Sequence, residues 1–408
     1  MGLKSENMQE VKESLLELEE LAITSGYTLV GSATQFMEKY NPATLLGKGK
    51  VTEIGDMARE GQAQVILVDH QLSGVQTRNL EKEWNAKVLD RNQVILEIFA
   101  ARAQTYEGKL QVELARNLDT LPRMVDAWMG SLSRQGGGIG TRGLGEKAIE
   151  MDRRHIRKQI VQIKKKLESV RAQREQRRAA RKKNKVPTFA LIGYTNSGKS
   201  CLLNNLTKSN VFSQNLLFAT LDPTTRKVHL SDNPTTNQTA LITDTVGFIR
   251  RLPHHLIEAF KATFEETANA DILIHVIDLS NPQLETQVEV VNELIRQFNW
   301  SEKPLIHAYN KIDIAPFQKR FHARGDNRVF ISAHTGDGLE QLKTMMKRAI
   351  EQLAVKIDLF IPSQEKGRIF ELTHDAQNLV QEESSSGISC QVQIIPSLIF
   401  KWRKYIQY

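Results

Sequence analysis

The chain has 408 residues, 40% of them hydrophobic and 25% charged, with a net charge of +8, which is room for about two to four ordinary domains. Cys201 and Cys390 are its only cysteines, so a disulfide framework and a cysteine metal cluster are excluded, as suits a reducing cytosol. Met1 to Leu21 has no apolar signal core, and no run approaches the roughly 20 apolar residues of a membrane span. The expected location is the cytoplasm, with no integral membrane segment.

Residues 1–92 alternate helical and strand patterns. Val11 to Leu21 has the spacing of an amphipathic helix, and Tyr27 to Val30, Val65 to Asp69 and Lys87 to Leu89 look like short strands. This predicts a small α/β domain with a mainly parallel sheet. Asp69 and Asp90 follow strands, where polar residues commonly end the element.

From Gln93 the pattern turns helical, through Leu110, Leu114, Leu118 and Leu121, up to Pro122. Between Gly136 and Gly145 six of ten residues are glycine, with Arg134 before the cluster and Arg142 inside it. A long basic helix follows. From Met151 to Lys185 there are 15 Lys or Arg against 3 acids, a net +12, so the rest of the chain carries −4. Ile149, Ile156, Ile160, Ile163, Leu167 and Val170 form one apolar seam in this helix. The expected shape of residues 93–185 is two antiparallel helices joined by a glycine-rich loop. A solvated face normally mixes both signs, so this surround fits a polyanion such as RNA. Arg134, Gly136, Gly137, Gly138, Gly140, Arg142, Arg153 and Arg154 are the candidate RNA contacts, since glycine lets the backbone approach phosphates and splayed bases.

Gly193-Tyr194-Thr195-Asn196-Ser197-Gly198-Lys199-Ser200 is the phosphate-loop pattern G-x-x-x-x-G-K-[ST]. Thr188 to Ile192 before it read as a buried strand, and Cys201 to Leu206 after it suit a helix whose N-terminus faces the phosphates. Lys199 supplies charge for the β- and γ-phosphates, and the Ser200 hydroxyl can coordinate Mg²⁺. Asp244-Thr245-Val246-Gly247 follows a strand-like run; Asp244 can reach Mg²⁺ through water, and the Gly247 amide can sense a γ-phosphate. Asn310-Lys311-Ile312-Asp313 follows another. The Asp313 carboxylate can accept from N1–H and N2–H₂ of guanine, donors that adenine lacks. Ser332-Ala333 resembles the loop that backs the base with a main-chain amide. Four such loops at the carboxyl ends of strands can meet at one site. In this order and spacing they predict a P-loop GTPase domain, residues 186–353.

Phe218-Ala219-Thr220-Leu221-Asp222, followed by Pro223, Thr224 and Thr225, stands where a threonine contacts Mg²⁺ and the γ-phosphate in the GTP state. Thr220, Thr224 and Thr225 all qualify by position. Phe248 follows Gly247 where many GTPases carry a water-orienting Gln. Phenylalanine cannot polarise water, which predicts slow hydrolysis that a partner stimulates.

Several stretches together resemble the HflX family of GTPases. They include Gly47-Lys48-Gly49-Lys50-Val51, Asn79-Leu80-Glu81 through Asp90-Arg91, Phe99-Ala100-Ala101-Arg102-Ala103 through Leu114, and Leu132-Ser133-Arg134-Gln135 through Asp152-Arg153-Arg154. Phe218 to Arg226, Asp244 to Leu256 and the tail from Ile357, where Ile361-Pro362 opens a strand–helix–strand pattern, also match. Departures lie in the arm: Leu144 stands where the family usually has Pro, and Gly145 to Asp152 and Arg116 to Thr120 differ from the usual runs. The resemblance implies an N-terminal α/β domain (1–92), a helical arm (93–185), the GTPase domain and a small C-terminal α/β domain (354–408). It implies Ser200 and Thr220 as Mg²⁺ ligands. The catalytic residues are then Lys199, Thr220 and Gly247, and GTP contacts run through Gly193–Ser200, Phe218–Asp222, Asp244–Gly247, Asn310–Asp313 and Ser332–Ala333. It also implies a protein, monomeric when free, that binds the large (50S) ribosomal subunit and its rRNA in ribosome splitting, rescue or biogenesis under stress. Two other classes compete. An RNA-binding scaffold with a structural nucleotide site would bind RNA equally with GTP, GDP or neither. An ATP-dependent RNA remodeller would turn over ATP after Asp313→Asn.

Overall fold

A computed structural model of the chain describes residues 2–3, 8–132, 142–183, 186–208, 217–230 and 239–407. Strand β1 (Gly2–Leu3) pairs in parallel with β2 (Phe36–Met37). Between them lies α1 (Met8–Thr24), which buries Val11, Leu18, Leu21 and Ala22 on one face. Then come α2 (Lys48–Glu60), β3 (Val65–Val68), α3 (Gly74–Trp84), β4 (Lys87–Asp90) and α4 (Arg91–Arg102). Ser73 with Gln76 and Asp90 with Gln93 form capping boxes that start α3 and α4. The sheet β3–β4 is parallel, in the register Val65↔Lys87 to Val68↔Asp90. It packs into a core of Leu46, Val51, Val68, Leu72, Leu80, Trp84 and Val88.

The structure corrects three expectations. Tyr27 to Val30 is not a strand: it joins no ladder, its Tyr27 hydroxyl donates to Glu97 Oε2 (2.8 Å), and Leu29 and Val30 are exposed. The expected single parallel sheet is instead two separate two-stranded pairs. The helix expected to stop before Pro122 continues as α5 (Tyr106–Leu132). Arg123 explains this continuation. Its guanidinium donates to Asp119 Oδ2 (2.9 Å), to Asp90 Oδ2 (2.6 Å) and to the Leu72 carbonyl (3.3 Å). Tertiary bonds thus hold the turn that proline weakens. Asp69 and Asp90 do more than end strands. Asp69 accepts from Arg91 (2.8 Å) and Ser14, and Asp90 caps α4 while pairing with Arg123. Helix α6 (Arg142–Lys183) turns Ile160 and Ile163 inward and leaves Ile156, Leu167 and Val170 half-buried.

The second half forms a six-stranded sheet. Its elements in chain order are β5 (Thr188–Ile192), α7 (Lys199–Thr207), β6 (Thr224–His229), β7 (Thr239–Asp244), α8 (His254–Ala259), α9 (Lys261–Asn269), β8 (Ile272–Asp278), α10 (Leu284–Gln297), β9 (Leu305–Asn310), β10 (Arg328–Phe330) and α11 (Leu339–Gln352). The order is β10-β9-β8-β5-β7-β6, parallel except where β6 runs antiparallel to β7. All seven residues of β8 are buried, as befits a strand covered on both faces. The tail forms β11 (Val355–Pro362), α12 (Arg368–Asp375), β12 (Ala376–Glu383), β13 (Gly387–Ile394) and α13 (Pro396–Trp402). Its antiparallel sheet, in the order β11-β13-β12, has its own core around Leu359, Ile361, Cys390, Val392 and Trp402. The sequence pattern there predicts strand–helix–strand, and the structure adds β13 and α13.

The chain divides into two compact units. The first comprises residues 1–171 with two later excursions, Gln214–Asp222 and Arg251–Ala262; the second comprises 172–213, 223–250 and 263–408. Among the described residues no helix is long and apolar enough to cross a membrane.

Candidate functional site

Four of the sequence motifs meet within the second unit. Strand β5 delivers the chain to Gly193, and the loop to Gly198 turns into α7. Asn196 (φ +60°) and Gly198 (φ +94°) both occupy the left-handed region. Gly198 has a second reason to lack a side chain: a Cβ there would lie 2.2 Å from Asn310 Nδ2. Asn310 fastens three loops. Its Nδ2 donates to the Ser197 carbonyl (2.8 Å), and its Oδ1 accepts from the Ala333 amide (2.8 Å). Cys201 Sγ (3.2 Å) and Asn205 Nδ2 in α7 both reach the Ala333 carbonyl. The phosphate loop, the Asn310–Asp313 loop and the Ser332–Ala333 loop therefore form one framework. Asn310 and Ser332 are buried in it, while Asp313 is exposed. Lys311, beside them, pairs through Nζ with Asp278 Oδ2 (2.7 Å), and Ile312 donates its amide to the Ile331 carbonyl (3.3 Å).

The Asp244–Gly247 loop closes on the same place. Phe248 N–H donates to the Gly193 carbonyl (3.0 Å), and the Thr195 N–H donates to the Phe248 carbonyl (2.7 Å). Thr245 Oγ1 donates to the Leu191 carbonyl (2.6 Å), and Val246 is buried. A Cβ on Gly247 would lie 2.9 Å from Thr195 Cα and 3.0 Å from Lys199 Nζ, so only glycine allows this approach. The Tyr194 hydroxyl accepts from the Arg250 amide (2.8 Å). The Phe248 ring is buried and stacked on Phe264, with centroids 5.9 Å apart. It packs and presents no polar group to water.

The electrostatics suit a polyphosphate. Lys199 is buried, donating through Nζ to the carbonyls of Gly193 (3.1 Å) and Tyr194 (2.7 Å). Burial pulls its ammonium down to about 8, with Lys311 adding to the fall and Asp244 opposing it. The hydroxyls of Thr195 and Ser197 are buried without a hydrogen-bond partner among the described residues, a cost that phosphate oxygens would remove. Ser200 Oγ donates to Asp244 Oδ2 (2.6 Å). A hydroxyl and a carboxylate oxygen side by side are the hard donors that Mg²⁺ takes beside substrate phosphates, so these residues fit that ion.

The fifth motif, Phe218 to Asp222, belongs to the first unit. Phe218 and Leu221 are buried, Ala219 and Thr220 are half-buried, and Phe218 meets Phe99 edge-on at 4.7 Å. The Asp222 carboxylate accepts from the amides of Gln104 (3.0 Å) and Thr105 (2.9 Å) and from Thr105 Oγ1. Nothing in the sequence points to this pairing, because Thr105 and Gly108 read alone are an ordinary helix start. Of the candidate RNA contacts, Arg134, Gly136, Gly137, Gly138 and Gly140 lie outside the described residues. Arg142 opens α6, and Arg153 and Arg154 pair with Glu150 at 3.4 and 3.2 Å.

Three family descriptions match in succession: "GTP-binding GTPase N-terminal" over residues 12–100, "GTP-binding GTPase Middle Region" over 102–181 and "50S ribosome-binding GTPase" over 188–311. The chain is 46% identical over 393 residues to GTPase HflX of Lacrimispora saccharolytica, covering 96% of this chain and 92% of that protein. It is 40% identical over 399 residues to GTPase HflX of Escherichia coli, covering 96% and 91%. Among solved structures it is similar to a GTP-binding protein from the archaeon Sulfolobus solfataricus in complex with GDP, with 24% identity, 86% of this chain and 98% of that chain covered, and a TM-score of 0.45.

Proposed function

This chain belongs to the HflX family of GTPases and hydrolyses GTP, and from that premise we propose that it is a GTP-timed switch on the large ribosomal subunit. The observation that carries this reading is the Asn310 framework. It bonds the phosphate loop to the Asn310–Asp313 and Ser332–Ala333 loops, and Ser197 and Asn310 lie in the segment, residues 188–311, that matches a family described as a 50S ribosome-binding GTPase.

In this reading Lys199 and the amides of the phosphate loop hold the β- and γ-phosphates, and Asp313 selects guanine through its two ring donors. Ser200 and Thr220 would hold Mg²⁺, with Asp244 beside Ser200. The ion, when bound, offsets charge that develops on the phosphates. The Gly247 amide senses the γ-phosphate, so that GTP and GDP favour different arrangements of the Thr220 and Gly247 loops. Phe248 cannot orient water, so unassisted hydrolysis is slow and the ribosome accelerates it. The glycine-rich tip of the arm and the basic α6 contact rRNA, and the biological output is splitting or rescue of stalled or idle ribosomes, or biogenesis during stress. The division into 1–92, 93–185, 186–353 and 354–408, a free monomer and a cytoplasmic location belong to the same proposal.

The test is co-sedimentation of the full chain with 30S and 50S subunits in a non-hydrolysable GTP analogue or in GDP. Binding to 50S at least about tenfold tighter with the analogue is expected, a coupling of about 1.4 kcal/mol. Equal binding in both nucleotides would favour the scaffold reading and undo the switch.

A further inference from the structure

We propose that Asp222 is a positioning residue that ties the Thr220 loop to the first turn of α5. It rests on the reading of Thr220 as a GTP-dependent Mg²⁺ ligand and is independent of ribosome binding.

Helix α5 begins at Tyr106, and Thr105 is its cap: Thr105 Oγ1 accepts the amide of Gly108 at 2.9 Å. The Asp222 carboxylate sits over this cap. One oxygen accepts the Gln104 and Thr105 amides at 3.0 and 2.9 Å, and the other accepts the Thr105 hydroxyl. An ionised carboxylate offers only acceptors, so it can satisfy all three donors together, whereas an amide offers a single oxygen. The fit is close. A Cβ on residue 108 would fall 2.4 Å from Asp222 Oδ1, so Gly108, a poor helix residue by propensity, is what admits the carboxylate.

The segment is held at its other end as well. The Leu217 amide donates to Thr24 Oγ1 (3.3 Å), and Phe218 has φ +53°, a conformation that a bulky residue keeps only when its surroundings enforce it. Here the enforcement is the edge-on packing of its ring on Phe99. Phe99 also meets Phe260, at the end of α8, edge-on at 4.7 Å. His255 in α8 approaches Asp119 of α5 at 3.6 Å. Both segments that follow nucleotide motifs in the chain, one after the phosphate loop and one after Gly247, thus end on α4 and α5.

Thr220 is two residues from Asp222, a reach of about 7 Å when extended. A rearrangement that carries Thr220 beyond that reach of the present Asp222 position requires Asp222 to give up its three bonds and leave the α5 cap short of acceptors. By reciprocity, anything that pulls on α5 alters the ease of placing Thr220.

The experiment is amide hydrogen exchange on the full chain with Mg²⁺ and either GDP or a non-hydrolysable GTP analogue. In the natural protein the amides of Gln104, Thr105 and Gly108 should exchange about fivefold faster or more with the analogue than with GDP. Asp222→Ala should raise exchange in both states and abolish the difference. Thr105→Val, which stays outside the nucleotide site and removes only the hydroxyl bond and the Gly108 cap, should abolish the difference at Gly108 and leave it at residues 104 and 105, with GDP affinity within about twofold of the natural value; it also guards against misfolding of Asp222→Ala. If the amides of Leu217–Leu221 respond to the analogue while those of 104–108 do not, the tie is refuted and the switch stands. The tie is refuted equally if Asp222→Ala keeps the full difference. If neither stretch responds, the Thr220 reading fails and the inference with it.

Discussion

Lys199 meets two demands that oppose each other. In the proposed role it grips phosphates from a buried, low-dielectric position, and burial weakens its hold on a proton, bringing it to about 8. Bound polyphosphate must restore the charge. Above the free protein's value, binding therefore has to take up a proton, and GTP affinity should fall about fourfold between pH 7 and pH 8.5. Titrations with a fluorescent guanine nucleotide would check this, and a flat profile would show that Lys199 stays charged throughout. Phe248 carries a second expectation at this scale. Its ring is buried on Phe264 while its amide and carbonyl are tied to Gly193 and Thr195. Restoring the glutamine common in other GTPases should fail: Phe248→Gln trades a buried ring for a buried amide and should cost about 2–4 kcal/mol. Single-turnover hydrolysis without ribosomes should not speed up, and a tenfold gain would mean that the residue 248 side chain can reach the attacking water.

Among elements, α5 shows how tertiary bonds override a local signal. Pro122 reads as a helix end, yet α5 runs ten residues further because Arg123 bridges Asp119, Asp90 and the Leu72 carbonyl. Asp90 is fully buried at the start of α4, so removing its partner leaves a carboxylate in the interior. Arg123→Ala should cost about 3–5 kcal/mol and appear as a lower denaturant midpoint for the first unit by circular dichroism. Replacement by Lys should recover only part of it, because the ammonium cannot repeat the fork. The strands around the nucleotide site were legible in advance for the opposite reason. Thr188–Ile192 matches β5 residue for residue, and the apolar runs before Asp244 and Asn310 became β7 and β9. A strand covered on both faces must be apolar throughout, and its functional loop starts where that run stops. Tyr27 to Val30 has the composition of a strand, but composition does not supply a ladder partner.

For the whole molecule, acid tolerance should be set in part by two histidines in the nucleotide-binding sheet. Burial pulls His275 down to about 3, with His307 and Lys199 adding to the fall, and burial also lowers His307. The folded form keeps His275 neutral while the unfolded chain takes up a proton near pH 6.5. Between these values the unfolded state binds more protons, so stability is complete above about pH 6.5 and declines as pH falls. The loss from His275 should be about 1.4 kcal/mol by pH 5.5. Urea midpoints across this range should show it, and His275→Gln should flatten the slope; an unchanged slope would assign the acid sensitivity to other groups. By itself the sequence determined the family and its ligand, GTP: the candidate motifs Gly193–Ser200, Asp244–Gly247, Asn310–Asp313 and Ser332–Ala333 are contiguous, and each can be read within a few residues of backbone. It also determined the charge of α6, since net charge is additive and needs no fold. Only the tertiary structure decided that Asn310 would bind the loops together, that Arg123 would carry α5 past Pro122, and that Asp222 would cap α5 in the company of Thr105 and Gly108. Those are pairings between residues up to 118 positions apart. Each half reads locally as an ordinary polar side chain, and its meaning comes from the donor or acceptor that folding places opposite it.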